Sequence, residues 1–134
     1  RIRRAVEMIL EDAGIREAEI SVAVVDDLTI HALNRQFLSH DEPTDVLSFV
    51  LEQGEASLEG EVIVSADTAR ASAPEYGWEP VDELLLYVIH GTLHLVGGLD
   101  ATPEEQADMR AGEREYLARF GLEPCYDDLG KESL

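Results

Sequence analysis

The stretch that most limits how this chain can fold is PVDELLLYVIHGTLHLV, residues 80 to 96, which is apolar on almost every side of a helix. A helix with no polar face has to lie inside the protein with other elements packed around it. Pro80 suits a first helical turn, where its missing N–H costs nothing, and Gly97 and Gly98 can take the left-handed conformations that end a helix. Within the run, His90 and His94 stand one turn apart, so both imidazoles fall on one side and can point at one ion about 2.0–2.1 Å away. Two histidines alone are more often satisfied core side chains than ligands. Here the glycine pair lets the chain turn back and bring Asp100 toward the same point. Asp100 is not needed as a helix cap, because TPEE at 102 to 105 already reads as a capping box with Thr102 as cap and Glu105 reaching back. The spacing H-x-x-x-H-x-x-G-x-x-D also matches the metzincin ligand frame with its last His replaced by Asp. We therefore expect His90, His94 and Asp100 to bind one metal ion with an open position, the arrangement of catalytic rather than structural sites.

The neighbouring residues narrow the chemistry. Gly91 follows His90, whereas zinc peptidases of the H-E-x-x-H kind carry at that place the Glu that serves as general base. Peptide hydrolysis by that route lacks its base here. Glu83 and Tyr87 share the helical stripe of His90 and are expected to be its supporting hydrogen-bond partners; the alternative is a buried Glu satisfied by backbone or by an Arg.

The rest of the chain reads as one folding unit. Its 134 residues suit a single domain with its own core, and there is no internal repeat, low-complexity tract or linker. Helices are expected over residues 2 to 13, in LTIHALNRQFL (28 to 38), from about Asp67, and from 102 to Phe120. Strands are expected in EISVAVVDD (19 to 27), DVLSFVLE (45 to 52) and, beyond a turn at Gly60, EVIVSA (61 to 66). Asp26 or Asp27 is placed to cap the helix that follows the first strand. Because the chain opens at Arg1 in a helical pattern, we expect a short upstream segment with room for an edge strand. The tail from about residue 126 lacks apolar periodicity and is expected to fray. Cys125 is the only cysteine, which excludes an internal disulfide and a thiolate cluster. No apolar run approaches the roughly 20 residues of a membrane span, so no membrane partner and a cytoplasmic location are expected. The formal charge is −19, from 29 acidic against 10 basic residues, a field that repels nucleic acid in general and leaves any such substrate to a local site.

These residues resemble the YbeY family of bacterial endoribonucleases and rRNA maturation factors, a family of metal-dependent hydrolases. The resemblance runs through LN at 33 and 34, DEPTDVLSF at 41 to 49, GEVIVS at 60 to 65, ELLLYVIHGTLHLVGG with its Glu83, and the helix of Met109 and Glu113. It implies a single-domain α+β fold, with a mixed sheet of three to four strands flanked by about five helices and a metal site on a buried central helix. It also implies one zinc ion per chain and cleavage of single-stranded RNA in 16S rRNA 3′ end maturation and ribosome quality control. The implied partners are rRNA, the small ribosomal subunit and ribosome-associated assembly proteins.

The sequence departs from the family pattern at two places. The family motif ends G-Y-D-H, and its last His falls on Asp100, with Gly98 and Leu99 in place of Tyr-Asp. A carboxylate is harder than imidazole and partly neutralises the ion, so weaker zinc preference is expected and other divalent metals are admitted. The family also places an Arg five residues before the position of Pro43, where this chain has Leu38. Arg35 and His40 are the candidates for the missing cationic or proton-transfer group; otherwise they read as a solvated helix face and a connecting loop. Thr44 to Phe49 is expected to form a strand whose Val46 and Ser48 face the metal helix, with Ser39 to Glu42 as the rim where substrate enters. The competing functions are a ribosome assembly factor with little or no catalysis and a metallopeptidase.

Overall fold

In a computed structural model that describes residues 1–124, the three strands form one mixed sheet in the order β1-β3-β2. β1 (Glu17–Val25) runs parallel to β3 (Ser57–Ser65), and β2 (Val46–Gln53) runs antiparallel to β3. Five helices flank the sheet: α1 (Ile2–Asp12), α2 (Asp27–Leu38), α3 (Ala66–Tyr76), α4 (Pro80–Leu95) and α5 (Pro103–Ala118). This is the expected α+β architecture. Cys125 and the tail expected to fray lie outside the described residues.

The register explains how the layers form. Val46 pairs with Val64, Leu47 with Ile63 and Ser48 with Val62, so successive residues alternate between the two faces. On one face Leu47 and Ile63 pack with Ile30 of α2. On the other, Val62 and Val64 pack with Val88 and Leu95 of α4 and with Val6 and Leu10 of α1. A second apolar cluster joins Leu85 and Ile89 of α4 to Ile9 of α1 and Leu117 of α5. Helix α4 is thus enclosed by the sheet, α1, α3 and α5, as its nearly all-apolar sequence requires.

Local signals set the helix ends. The Asp26 carboxylate accepts from the Thr29 N–H at 2.8 Å and starts α2. Ser65 caps α3, which begins at Ala66, one residue before the expected start. Thr102 and Glu105 form the expected capping box of α5. That helix ends at Ala118, two residues short of the expected Phe120, with a turn through Gly121 after it.

The expected turn at Gly60 is not there. Gly60 lies inside β3, which begins at Ser57, and the chain reverses instead between Gln53 and Ser57. A Cβ at Gly60 would sit 3.0 Å from both Leu95 Cδ2 and the Phe49 carbonyl oxygen. The glycine therefore serves a close approach of helix to strand rather than a change of direction. Gly91 does the same from the helix side, where a Cβ would meet Val62 Cγ1 at 2.7 Å and Ser48 Oγ at 2.9 Å.

Candidate metal centre

Helix α4 seats against β2 and β3 through Gly91, and Ser48 Oγ donates to the Gly91 carbonyl at 2.9 Å. The next side chain back along the helix is His90, and His94 follows one turn on. With Gly91 and Leu95 on the sheet and Leu85 and Ile89 toward α1 and α5, the two histidines fall on a different flank, with His90 against Glu113 and the exposed Asp100 beside both rings. Val46 and Ser48 face α4 as the sequence predicts, although the strand starts at Val46 rather than Thr44.

Both imidazoles are held by their Nδ1 atoms. His94 Nδ1–H donates to the Gly98 carbonyl oxygen at 2.8 Å, a contact made by the turn that ends α4. His90 Nδ1–H donates to Glu113 Oε2 of α5 at 2.6 Å, and the Glu113 side chain is 3% exposed. These bonds fix the tautomer in which each Nε2 presents a lone pair. The two Nε2 atoms face each other at 3.1 Å, and Asp100 Oδ2 lies 3.2 Å from that of His94 and 3.7 Å from that of His90.

Three electron-rich atoms therefore converge on one point, all within 4.8 Å of one another. Tetrahedral ligands about 2.0–2.1 Å from an ion stand roughly 3.3–3.4 Å apart, and the observed separations bracket that value. A divalent cation fits this donor set. The histidine side chains are 25% and 26% exposed and Asp100 is 47% exposed, so the cluster is reached from solvent on the Asp100 side.

The electrostatic setting is acidic. Burial lowers the proton affinity of His90, but the hydrogen bond and charge of Glu113, followed by the charges of Asp45 and Asp100, outweigh it and raise its pKa above the ordinary imidazole value. Glu113 and Asp45 have no part in the expected ligand set. Glu113 is separated from His90 by 23 residues, and its supporting role is visible only once α5 is docked.

Glu83 and Tyr87 do share the histidine flank, but they bond elsewhere. Trp78 Nε1–H donates to Glu83 Oε1 at 2.9 Å, Tyr87 bonds to the same carboxylate, and Ser72 bonds to Tyr87. Burial pushes the Glu83 carboxyl above its ordinary range. Neither residue takes the expected place beside His90, because Glu113 already fills it.

Arg35 and His40 are not brought to the donor cluster. Arg35 sits on α2, which packs on the sheet face opposite α4, and its guanidinium is 3.9 Å from Asp41. His31 Nε2 also contacts Asp41, at 2.8 Å, so the loop after α2 is tied back to that helix. His40 lies exposed in this loop, with its backbone N–H donating to the Asn34 carbonyl at 3.2 Å. Leu38, where the family pattern has Arg, is 46% exposed.

Fold and donors together define an α+β domain whose buried helix carries a candidate mononuclear metal site. The chain belongs to the endoribonuclease YbeY family, which it matches over residues 1–121. It is 46% identical over 112 residues to Endoribonuclease YbeY of Rhodopirellula baltica, covering 82% of this chain and 58% of that protein. It is 38% identical over 135 residues to Endoribonuclease YbeY of Bacillus subtilis, covering 89% of this chain and 86% of that one. Its fold matches the solution structure of a Thermotoga maritima protein with a TM-score of 0.59 at 29% identity, over 89% of this chain and 81% of the other. Among the described residues no helix is long and apolar enough to cross a membrane.

Proposed function

We propose that this chain is a metal-dependent endoribonuclease that hydrolyses single-stranded RNA in the cytoplasm, with 16S rRNA 3′ end maturation and ribosome quality control as its setting. Family membership supports the reaction class. The observation that carries the reading is the convergence of His90 Nε2, His94 Nε2 and Asp100 Oδ2 on one point reached from solvent. Zinc is the proposed ion, one per chain, with manganese or magnesium taking a larger share than at an all-imidazole site because of the carboxylate.

A divalent cation bound there supplies a Lewis acid for a phosphoryl oxygen and lowers the pKa of a coordinated water. The chain's own residues prepare the place. Glu113 and the Gly98 carbonyl hold the two rings so that their Nε2 lone pairs converge. Asp100 adds a negative charge and stands on the open side, where substrate enters. The charges that act on His90 come from Glu113, Asp45 and Asp100, so neutralising a phosphodiester falls largely on the cation. Arg35 and His40, on the rim between α2 and β2, are proposed to help through the RNA backbone. The proposed partners are rRNA, the small ribosomal subunit and ribosome-associated assembly proteins.

A second reading, an assembly factor with little catalysis, is favoured by one observation: Leu38 stands where the family has Arg, and Arg35 faces Asp41 instead. One experiment separates the two. A single-stranded RNA oligonucleotide is incubated with zinc- or manganese-loaded protein, with Asp100→Ala as the control. Metal-dependent cleavage that chelator and Asp100→Ala both abolish is expected, and His40→Ala should lower cleavage while leaving metal content unchanged. Intact RNA in the presence of fully loaded protein would favour the assembly factor.

A further inference from the structure

The sheet has two outer strands, and they are finished differently. β1 opens with Glu17 and Glu19, and α1 packs against its face near Ile20 and Val22. β2 contains a single charged residue, Glu52, and among the described residues no strand pairs with its outer edge. The run Val46-Leu47-Ser48-Phe49-Val50-Leu51 has high β propensity, no charge and no proline. Edge strands normally avoid that combination because their unpaired N–H and C=O groups accept another strand. The register shift between Val50 and Glu52 comes late in the strand and leaves most of this run in regular pairing with β3.

Apolar side chains extend the same surface. Phe37 is 58% exposed and stacks edge-on against Phe49 with ring centroids 5.7 Å apart. Leu38, Val50 and Leu51 stand 46%, 47% and 54% exposed. Scattered exposed apolar residues need no explanation, but a group gathered about an unpaired edge marks an interaction surface. Acidic residues surround it: Asp41 and Glu42 precede the strand, Glu52 lies within it, and Glu61 stands across from Phe49 on β3. A second copy of this chain would bring a further charge of −19 to the same place.

We propose that the free edge of β2, with Phe37, Leu38 and Leu51 beside it, docks an extended lysine- or arginine-rich segment of a partner protein by strand addition. Main-chain hydrogen bonds along the edge give affinity, alternate apolar side chains meet the exposed leucines and Phe37, and the basic residues meet the acidic surround. The docked segment lies along the strand that touches α4 through Ser48. This inference does not rest on the RNA reading, since it needs neither metal nor cleavage.

The test uses the whole chain and an eight-residue peptide of alternating valine and lysine, with amide hydrogen exchange as the readout. Protection of alternate β2 amides is expected, with binding at least tenfold tighter than for the same peptide carrying glutamate in place of lysine. Alternating proline and lysine gives equal charge without strand-forming ability, and it should not protect β2. Leu51→Lys and Phe37→Ser should each weaken binding several-fold while the circular dichroism spectrum stays unchanged. Equal binding of the proline peptide, protection that maps away from β2, single-stranded RNA protecting these amides where the valine-lysine peptide does not, or a dimer through β2 in sedimentation would each overturn the proposal.

Discussion

Both flanks of α4 carry buried side chains, and the two are held by different physics. Leu85 and Ile89 on one flank are 0% exposed, and Glu83 and Tyr87 on the other are 1% and 5% exposed. The apolar flank is stabilised by removing hydrocarbon from water, about 1.5–3 kcal/mol for each fully buried large side chain. The polar flank tolerates burial only because each group finds a partner: Glu83 has Trp78 and Tyr87, His90 has Glu113, and His94 has the Gly98 carbonyl. Among the described residues no buried side-chain nitrogen or oxygen lacks a hydrogen-bond partner. What the polar flank leaves for ligand chemistry is the pair of Nε2 lone pairs aimed at Asp100. One flank thus supplies the stability on which the geometry of the other depends.

The contrast can be broken from either side. Ile89→Ala on the apolar flank should cost about 2–5 kcal/mol in urea unfolding, since it leaves a cavity among α1, α4 and α5. Folded protein should still take up one metal ion. Loss of metal uptake by the folded fraction would show that the flanks are not separable.

On the polar flank, Glu113→Gln removes the charge that orients His90 while keeping a hydrogen-bonding group. Metal affinity should fall about 10- to 100-fold, or ~1.4–2.7 kcal/mol. Competitive titration with a chromogenic chelator reads this directly, and undiminished affinity would remove Glu113 from the site.

Glu83→Gln sharpens the comparison through pH. Burial raises the Glu83 pKa in the folded protein above its unfolded value, so between those two values the folded state holds more protons than the unfolded one. The contribution of Glu83 to stability is therefore fully present below the unfolded pKa and is lost as pH rises through the folded one. Glu83→Gln should flatten that decline in denaturation measured from pH 4 upward and leave metal affinity unchanged. An equally steep decline in the variant would place its cause elsewhere.

The smallest effect belongs to the loop tied by Asp41. Arg35→Ala should change stability by no more than about 0.5 kcal/mol in thermal unfolding, because its guanidinium is exposed and 3.9 Å from its partner. A larger loss would mean that the α2 face contributes to the fold in a way that its exposure does not suggest.

Much of the donor cluster is legible in the sequence because it is local. His90, His94 and Asp100 fall within eleven residues, and helical spacing with a glycine turn is enough to bring them together. Glu113 is not legible as a partner in the same way. It lies on α5, 23 residues from His90, and only the packing of α5 on α4 turns this carboxylate inward. Glu83 shows the opposite case: spacing places it on the histidine flank, but Trp78 and Tyr87 claim its hydrogen bonds. Gly60 reads as a turn by local preference, whereas tertiary packing of Leu95 and the Phe49 carbonyl sets its place inside β3. The strand and helix identities follow from periodicity, while their ends shift by a few residues where tertiary contacts extend or trim them.

The central claim is that His90, His94 and Asp100 hold one divalent ion together. The most direct test is X-ray absorption at the zinc edge on protein loaded with one equivalent of zinc, beside Asp100→Ala. Two imidazole nitrogens and a carboxylate oxygen at about 2.0–2.2 Å are predicted, with the carboxylate lost in the variant. A spectrum with fewer than two imidazoles, or one that Asp100→Ala leaves unchanged, would contradict it.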